Sequence, residues 1–179
     1  MIQSGVNKQI GGDIKLLRKA QADEAVAAYQ CIEDARAYHS SMGFAQWHPD
    51  YPTIHTIKED IANGIGFVFA EGNVILGYCC MIIGDEPAYH VIDGSWKTDR
   101  PYAVVHRMAF SQNSRGKGLS GSTFSLIKDF CAKNGIKSIR IDPQEENKVM
   151  QHILTREGFE YCGLILFDGG PNLAYEWDR

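Results

Sequence analysis

Several common signatures are missing from this chain. It has no Cys-x-x-Cys pair, and its five cysteines (Cys31, Cys79, Cys80, Cys131 and Cys162) are an odd number. That pattern argues against a disulfide framework and points to reduced thiols in a reducing compartment. The six histidines are not grouped at ligand spacing, so no metal is expected; His48 and His55 are separated along a proline-containing segment. There is no basic excess: 18 Lys and Arg stand against 22 Asp and Glu, a net charge of -4, which speaks against a nucleic-acid partner. No run approaches the roughly 20 apolar residues of a membrane span, and the N-terminus has no signal-peptide run. No membrane partner is therefore expected, and a cytoplasmic location is the default. Repeats, low-complexity tracts and linkers are also missing. A chain of 179 residues, 44% hydrophobic and 22% charged, reads as a single domain over 1–179, with 1–12 as a loose leader.

What is present centres on residues 103–121. An apolar run, Ala103 to Phe110, stops at a polar turn, Ser111 to Ser114. Arg115-Gly116-Lys117-Gly118-Leu119-Ser120 follows and opens a segment with helical spacing. This is a strand, a basic glycine loop and a helix start. Glycines let backbone N–H groups approach a ligand closely, and a helix N-terminus adds unpaired donors and partial positive charge. With Arg115 and Lys117 the stretch reads as an anion site, most naturally for a diphosphate; a basic turn on a solvated surface is the plainer alternative. It is not a Walker loop, and its depth in the chain does not fit a dinucleotide fingerprint.

Arg115-Gly116-Lys117-Gly118-Leu119-Ser120 resembles the acetyl-CoA pyrophosphate loop of the GNAT superfamily of N-acetyltransferases, Arg/Gln-x-x-Gly-x-Gly/Ala, with Ser120 in place of the usual Gly or Ala. The likeness runs upstream through His106-Arg107-Met108-Ala109-Phe110, similar to the family's splayed fourth strand, and downstream to Asn147 and Gly158-Phe159. It covers roughly residues 66–167. It implies an α/β fold with a mixed central sheet, its fourth strand splayed, flanked by helices, and acetyl-CoA as cosubstrate.

Taken in order, Ile14 to Arg18 reads as a strand, and Asp23 as the cap of a helix running to about His39. An aromatic-rich segment, 40–53, precedes a short helix, 56–63, with Lys58, Glu59 and Asp60 outward. Gly66 to Ala70 and Val74 to Ile83 form a hairpin through Glu71-Gly72-Asn73. A long loop, 84–100, leads to the strand at 103–110. The helix after the glycine loop ends at Asn134-Gly135. Lys137 to Asp142 is a strand alternating Ile139 and Ile141 with Ser138 and Arg140. Asn147 to Thr155 is a last helix, and strands 159–167 and 174–177 flank Asp168-Gly169-Gly170-Pro171.

Acyl transfer to an amine needs a held cofactor, a polarised carbonyl, a deprotonated amine and a protonated leaving thiolate. By resemblance, Arg115 to Ser120 hold the pyrophosphate, and the backbone of Met108, Ala109 and Phe110 meets the pantetheine arm. His106 is the candidate base, two residues before Met108 and read on the same strand face; the alternative is a satisfied, partly buried histidine. Asn147 either meets the pantetheine arm or caps the last helix. Where the family often has a thiolate-protonating tyrosine, this chain has Leu154, leaving Tyr161, Tyr102 or Tyr51 as stand-ins. Gln46, Trp47, His48, Tyr51, Tyr89 and Trp96 are candidates for the acceptor cleft, or else pin their loops to the core. The reading is an N-acetyltransferase acting on the primary amine of a small molecule, peptide or protein. A CoA-binding module with little catalysis and a nucleotide binder are its rivals, and exposed late strands leave a homodimer open.

Overall fold

A computed structural model describes residues 16–167 and 170–179. The leader assigned to 1–12, the start of the first strand at Ile14 and the turn residues Asp168 and Gly169 lie outside the described residues.

Eight strands form one sheet in the order β1-β2-β3-β5-β6-β8-β7-β4. They are β1 (Leu16–Lys19), β2 (Gly66–Glu71), β3 (Val74–Ile83), β4 (Ile92–Gly94), β5 (Tyr102–Phe110), β6 (Ser138–Ile141), β7 (Glu160–Phe167) and β8 (Gly170–Asp178). The helices are α1 (Ala25–Ser41), α2 (Ile54–Ala62), α3 (Leu119–Lys133) and α4 (Lys148–Arg156). Every strand pairing is antiparallel except β5 with β6, which α3 connects as a crossover. One core lies between the sheet and α3 and α4, built on Phe69, Phe124, Ile127, Ile139 and Leu154. A second holds α1 and α2 against the other face through Ile32, Ile57, Val68 and Tyr78. A third joins Tyr89 to Val104, Ile165 and Ala174.

Several expectations change. The long loop at 84–100 contains a single 3-10 turn, Pro87–His90, and the edge strand β4; three residues are too few to show an alternating pattern. The first helix is not capped by Asp23. Gln21 and Glu24 form a capping box one turn earlier, around a 3-10 segment that leads into α1. Gly170 and Pro171 belong to β8, opposite Phe167 and Leu166. Ser138 and Arg140 do not face water: β6 is buried on both faces, and Arg140 lies between the Trp96 and Tyr102 rings with Glu176 accepting from its Nε. Asp60 is likewise turned inward.

Candidate functional site

The parallel pair sets the site. β5 and β6 are paired at Tyr102–Ser138, Ala103–Ile139 and Val104–Arg140, and the ladder ends there. Past Val104 the strands diverge, so the β6-facing edge of β5 has no strand partner. A cavity of about 450 Å³ occupies the gap, with Met108, Ala109 and Phe110 on one wall and Ile141 and Asp142 on the other.

On its other edge β5 carries a bulge. Tyr78 pairs with Ala109 and Cys80 with His106, so Arg107 and Met108 together oppose Cys79. Arg107 is left-handed, with φ of 53°, which a non-glycine residue adopts only when its surroundings hold it. Asp60 on α2 accepts from Arg107 Nε at 3.0 Å and Nη2 at 2.7 Å, and from the Tyr78 hydroxyl at 2.7 Å. Arg107 Nη1 donates to the Tyr51 hydroxyl at 2.6 Å. The bulge overturns the expectation that His106 and Met108 share a face. Met108 and Phe110 pack into the core that contains Val105, whereas His106 takes the face of Val104. Both still reach the cavity, because it runs through the gap from one face of the sheet to the other.

At one end lies the glycine loop. Gly116 and Gly118 have φ of 72° and 67°, and a Cβ on either would enter open space. Gly118 is the N-cap of α3, and no side chain caps that helix. Gly118 thus offers the first-turn N–H groups no side-chain acceptor, which suits an anion. Arg115 lines the cavity but is held to α1, donating to the Asp34 carbonyl and lying 4.6 Å over the Tyr38 ring. Lys117 is exposed and does not line the cavity. Arg156, which sequence reasoning missed, donates to Ser120 Oγ at 2.7 Å and brings a cation, paired with Glu157 at 2.9 Å, to the start of α3. Its only signal is proximity in the fold.

At the other end His106, 8% exposed, sits between two carboxylates. Its Nε2 is 3.2 Å from Glu86 and its Nδ1 is 3.5 Å from Asp142. Burial alone would favour the neutral ring. Against that, Asp142 and then Glu86 bind the cation and hold its pKa up at about 9, with Arg107 opposing. His39, on α1 in the same cavity, behaves oppositely: burial, helped by Arg115, lowers its pKa to about 4. Tyr89 is not on the cavity wall. It is 2% exposed and stands behind the site, its hydroxyl donating to Asp142 at 2.6 Å. Trp96 is pinned similarly, its indole N–H bonded to the Tyr89 carbonyl at 3.0 Å.

Gln46, Trp47 and Tyr51 line the cavity, whereas His48 is exposed beside Asp50. Asn147 takes the capping role and also lines the cavity. Its Oδ1 caps α4 by accepting from Met150 N at 3.0 Å, and its Nδ2 reaches across the cavity wall to Gln46 at 2.5 Å. Leu154 is fully buried in the core and does not reach the cavity. Of the three stand-in tyrosines only Tyr51 lines it; Tyr102 and Tyr161 lie elsewhere. Among the described residues no three His, Cys, Asp or Glu side chains form a metal-holding group.

The splayed parallel pair with an uncapped glycine-led helix at its mouth is the feature to set beside known folds. The family model "Acetyltransferase (GNAT) family" matches residues 22–159, and the chain belongs to that family. Among solved structures, a GNAT-family acetyltransferase from Streptococcus agalactiae is 34% identical, with a TM-score of 0.82 over 92% of this chain and 95% of its own. A second, from Listeria monocytogenes, is 19% identical with a TM-score of 0.72, covering 92% and 94%. AAC(6')-Ib, solved with ribostamycin and coenzyme A, is 18% identical with a TM-score of 0.67, covering 91% and 92%. At such identities the last two show the fold alone. A search of curated proteins finds no match.

Proposed function

We propose that this GNAT acetyltransferase is a single-domain N-acetyltransferase that uses acetyl-CoA and acts on the primary amine of a small molecule or peptide. The observation that carries the reading is one cavity joining the uncapped α3 N-terminus to the Asp142 carboxylate and its neighbour His106. When bound, acetyl-CoA supplies an acetyl group activated as a thioester. The backbone of Gly116 to Ser120 would hold its diphosphate, with Arg115 and Arg156 adding positive charge nearby. The unpaired edge of β5 at Met108 to Phe110 would hold the pantetheine arm, and Asn147 closes the wall opposite. That five thiols are buried and unpaired supports a reducing, cytoplasmic setting.

His106 does not serve as an amine-deprotonating base at neutral pH in this reading. With its pKa at about 9 it carries a proton on each ring nitrogen and has no lone pair to offer. It fixes the two carboxylates and tempers their charge.

Thermal denaturation with acetyl-CoA, ATP and NAD tests the cofactor. A ligand at ~100 Kd stabilises the folded chain by ~2.7 kcal/mol. The reading expects that shift with acetyl-CoA alone; no shift with it ends the proposal. Thiol release across a panel of amines then separates an enzyme from a CoA-binding module, the second reading, which the buried Leu154 favours by denying that position to an acid. Stabilisation without turnover on any amine would establish the module.

A further inference from the structure

Asn172 has a buried hydrogen-bonding atom that the rest of the described protein does not satisfy. It lies on β8, 6% exposed, bridged to Gln144 just beyond the end of β6. Its Nδ2 donates to Asp142 Oδ2 at 3.0 Å. That bond fixes the amide orientation, because the opposite flip would set two acceptor oxygens against each other. No donor among the described residues reaches Oδ1, and Asn172 lines the cavity. A buried carbonyl oxygen without a donor is rare in a closed core and sensible on the wall of a binding site.

The side of the sheet narrows what the donor is. Asn172 alternates with Ala174, which packs with Tyr89 and Val104; α3 and α4 pack on the opposite face. The glycine loop opens at the head of α3, so the diphosphate end and Asn172 belong to opposite faces, joined through the gap between β5 and β6. What meets Asn172 thus enters from the face of His106 and Asp142. Around that end three carboxylates, Glu86 and Asp142 beside His106 and Asp60 paired with Arg107, stand against two cations. An ammonium brings both positive charge and three N–H donors.

We infer that Asn172 Oδ1, beside the Asp142 carboxylate, is the anchoring acceptor for a primary ammonium on a small acceptor molecule. The inference rests on the acetyltransferase reading of this cavity. Charge alone does not satisfy Oδ1, so the site selects for N–H and rejects a quaternary ammonium of equal charge.

The test compares n-butylammonium with n-butyltrimethylammonium at pH 7 by calorimetry, on the full chain with and without CoA. The unmodified protein is expected to bind the primary cation at least ~10-fold more tightly. Asn172→Ala should weaken it roughly 10- to 100-fold, the scale of a hydrogen bond to a charged donor. The quaternary cation and acetyl-CoA should bind the variant as they bind the parent. Equal binding of the two cations to the parent, or no binding of the primary one, overturns the inference. So does equal weakening of both in the variant, which would mean that Asn172 acts only by placing Asp142; the His106 titration would then move as well. A loss confined to acetyl-CoA would assign Oδ1 to the cofactor and overturns it too. Should the variant not fold, the parent comparison decides. Failure of the acetyltransferase reading is separable, since it shows as absent acetyl-CoA binding by the parent.

Discussion

The charge on His106 links the stability of the chain to the proposed chemistry of the site. Raising the folded-state pKa from 6.5 to about 9 is linked to on the order of 3 kcal/mol of stability, at ~1.4 kcal/mol per pH unit. The sign follows from which state holds the proton. A pKa higher in the folded state means that folding binds the proton. The contribution is complete below pH 6.5, declines as pH rises, and is gone above about 9. The buried thiols add a further loss above about pH 8.5, because burial moves Cys31 and Cys80 to about 12 and Cys131 to about 11 while the unfolded chain ionises them earlier, so His106 is read from the difference between parent and variant. Urea denaturation at fixed pH between 6 and 10 should show this fall in the parent and a flatter profile in His106→Gln. Side-chain NMR should place the His106 midpoint well above 6.5, and Asp142→Asn should lower it by removing the stronger of the two carboxylate partners. A midpoint at or below 6.5 would refute the charged assignment. His106 would then be available as a base at neutral pH, and the original expectation for it would return.

Three further perturbations probe other parts of the argument. Asp60→Ala leaves the Arg107 guanidinium buried without its carboxylate and should cost ~3–5 kcal/mol in denaturant titrations; a loss below ~1 kcal/mol would mean the pair is dispensable. Gly118→Ala meets no atom within 4 Å, so its stability cost is conformational alone, ~1–2 kcal/mol. Acetyl-CoA titration should show a further loss, because the new Cβ projects into the open space where the diphosphate is proposed to bind. Leu154→Tyr restores the tyrosine of the family pattern at a fully buried position; it should destabilise by ~1–3 kcal/mol without raising the rate of thiol release.

The legible parts of the molecule are those decided by short stretches of chain. Gly116 and Gly118 announce a left-handed turn at the head of a helix, and that is what they build. Gly135 ends α3 and Gly72 turns the β2–β3 hairpin, each with positive φ, for the same local reason. Asn147 sat at a helix start in the sequence, and its capping bond spans three residues. The illegible parts depend on partners distant in sequence. Asp60 looked solvent-facing because Arg107 is 47 residues away. The alternation of Ser138 and Arg140 with Ile139 and Ile141 does not reveal their burial, because their covering, Glu176 and Trp96, arrives from two other segments. Tyr89 looked like a cleft aromatic, and only the folded chain reveals Asp142 as its partner, 53 residues on. Asn172 carried no signal at all, since an asparagine near a turn is ordinary in sequence.

The bulge at Arg107 explains why the least legible residue matters most to the site. A regular β5 would have put His106 and Met108 on one face, as period-two reading expects. The extra residue sends Met108 into the core with Val105 and leaves His106 on the opposite face, within reach of Glu86 and Asp142. Left-handed backbone at an arginine is unfavourable by itself. Here the Asp60 carboxylate engages two of its nitrogens and Tyr51 a third, so α2 and the aromatic segment before it stabilise the distorted strand. The same interactions bring Tyr51 to the cavity wall, where it faces whatever enters. The strand distortion and the acceptor wall are therefore built by one set of bonds. A change at Asp60, though 5% exposed and on a helix away from the gap, should disturb how the acceptor is met as well as how stably the chain folds.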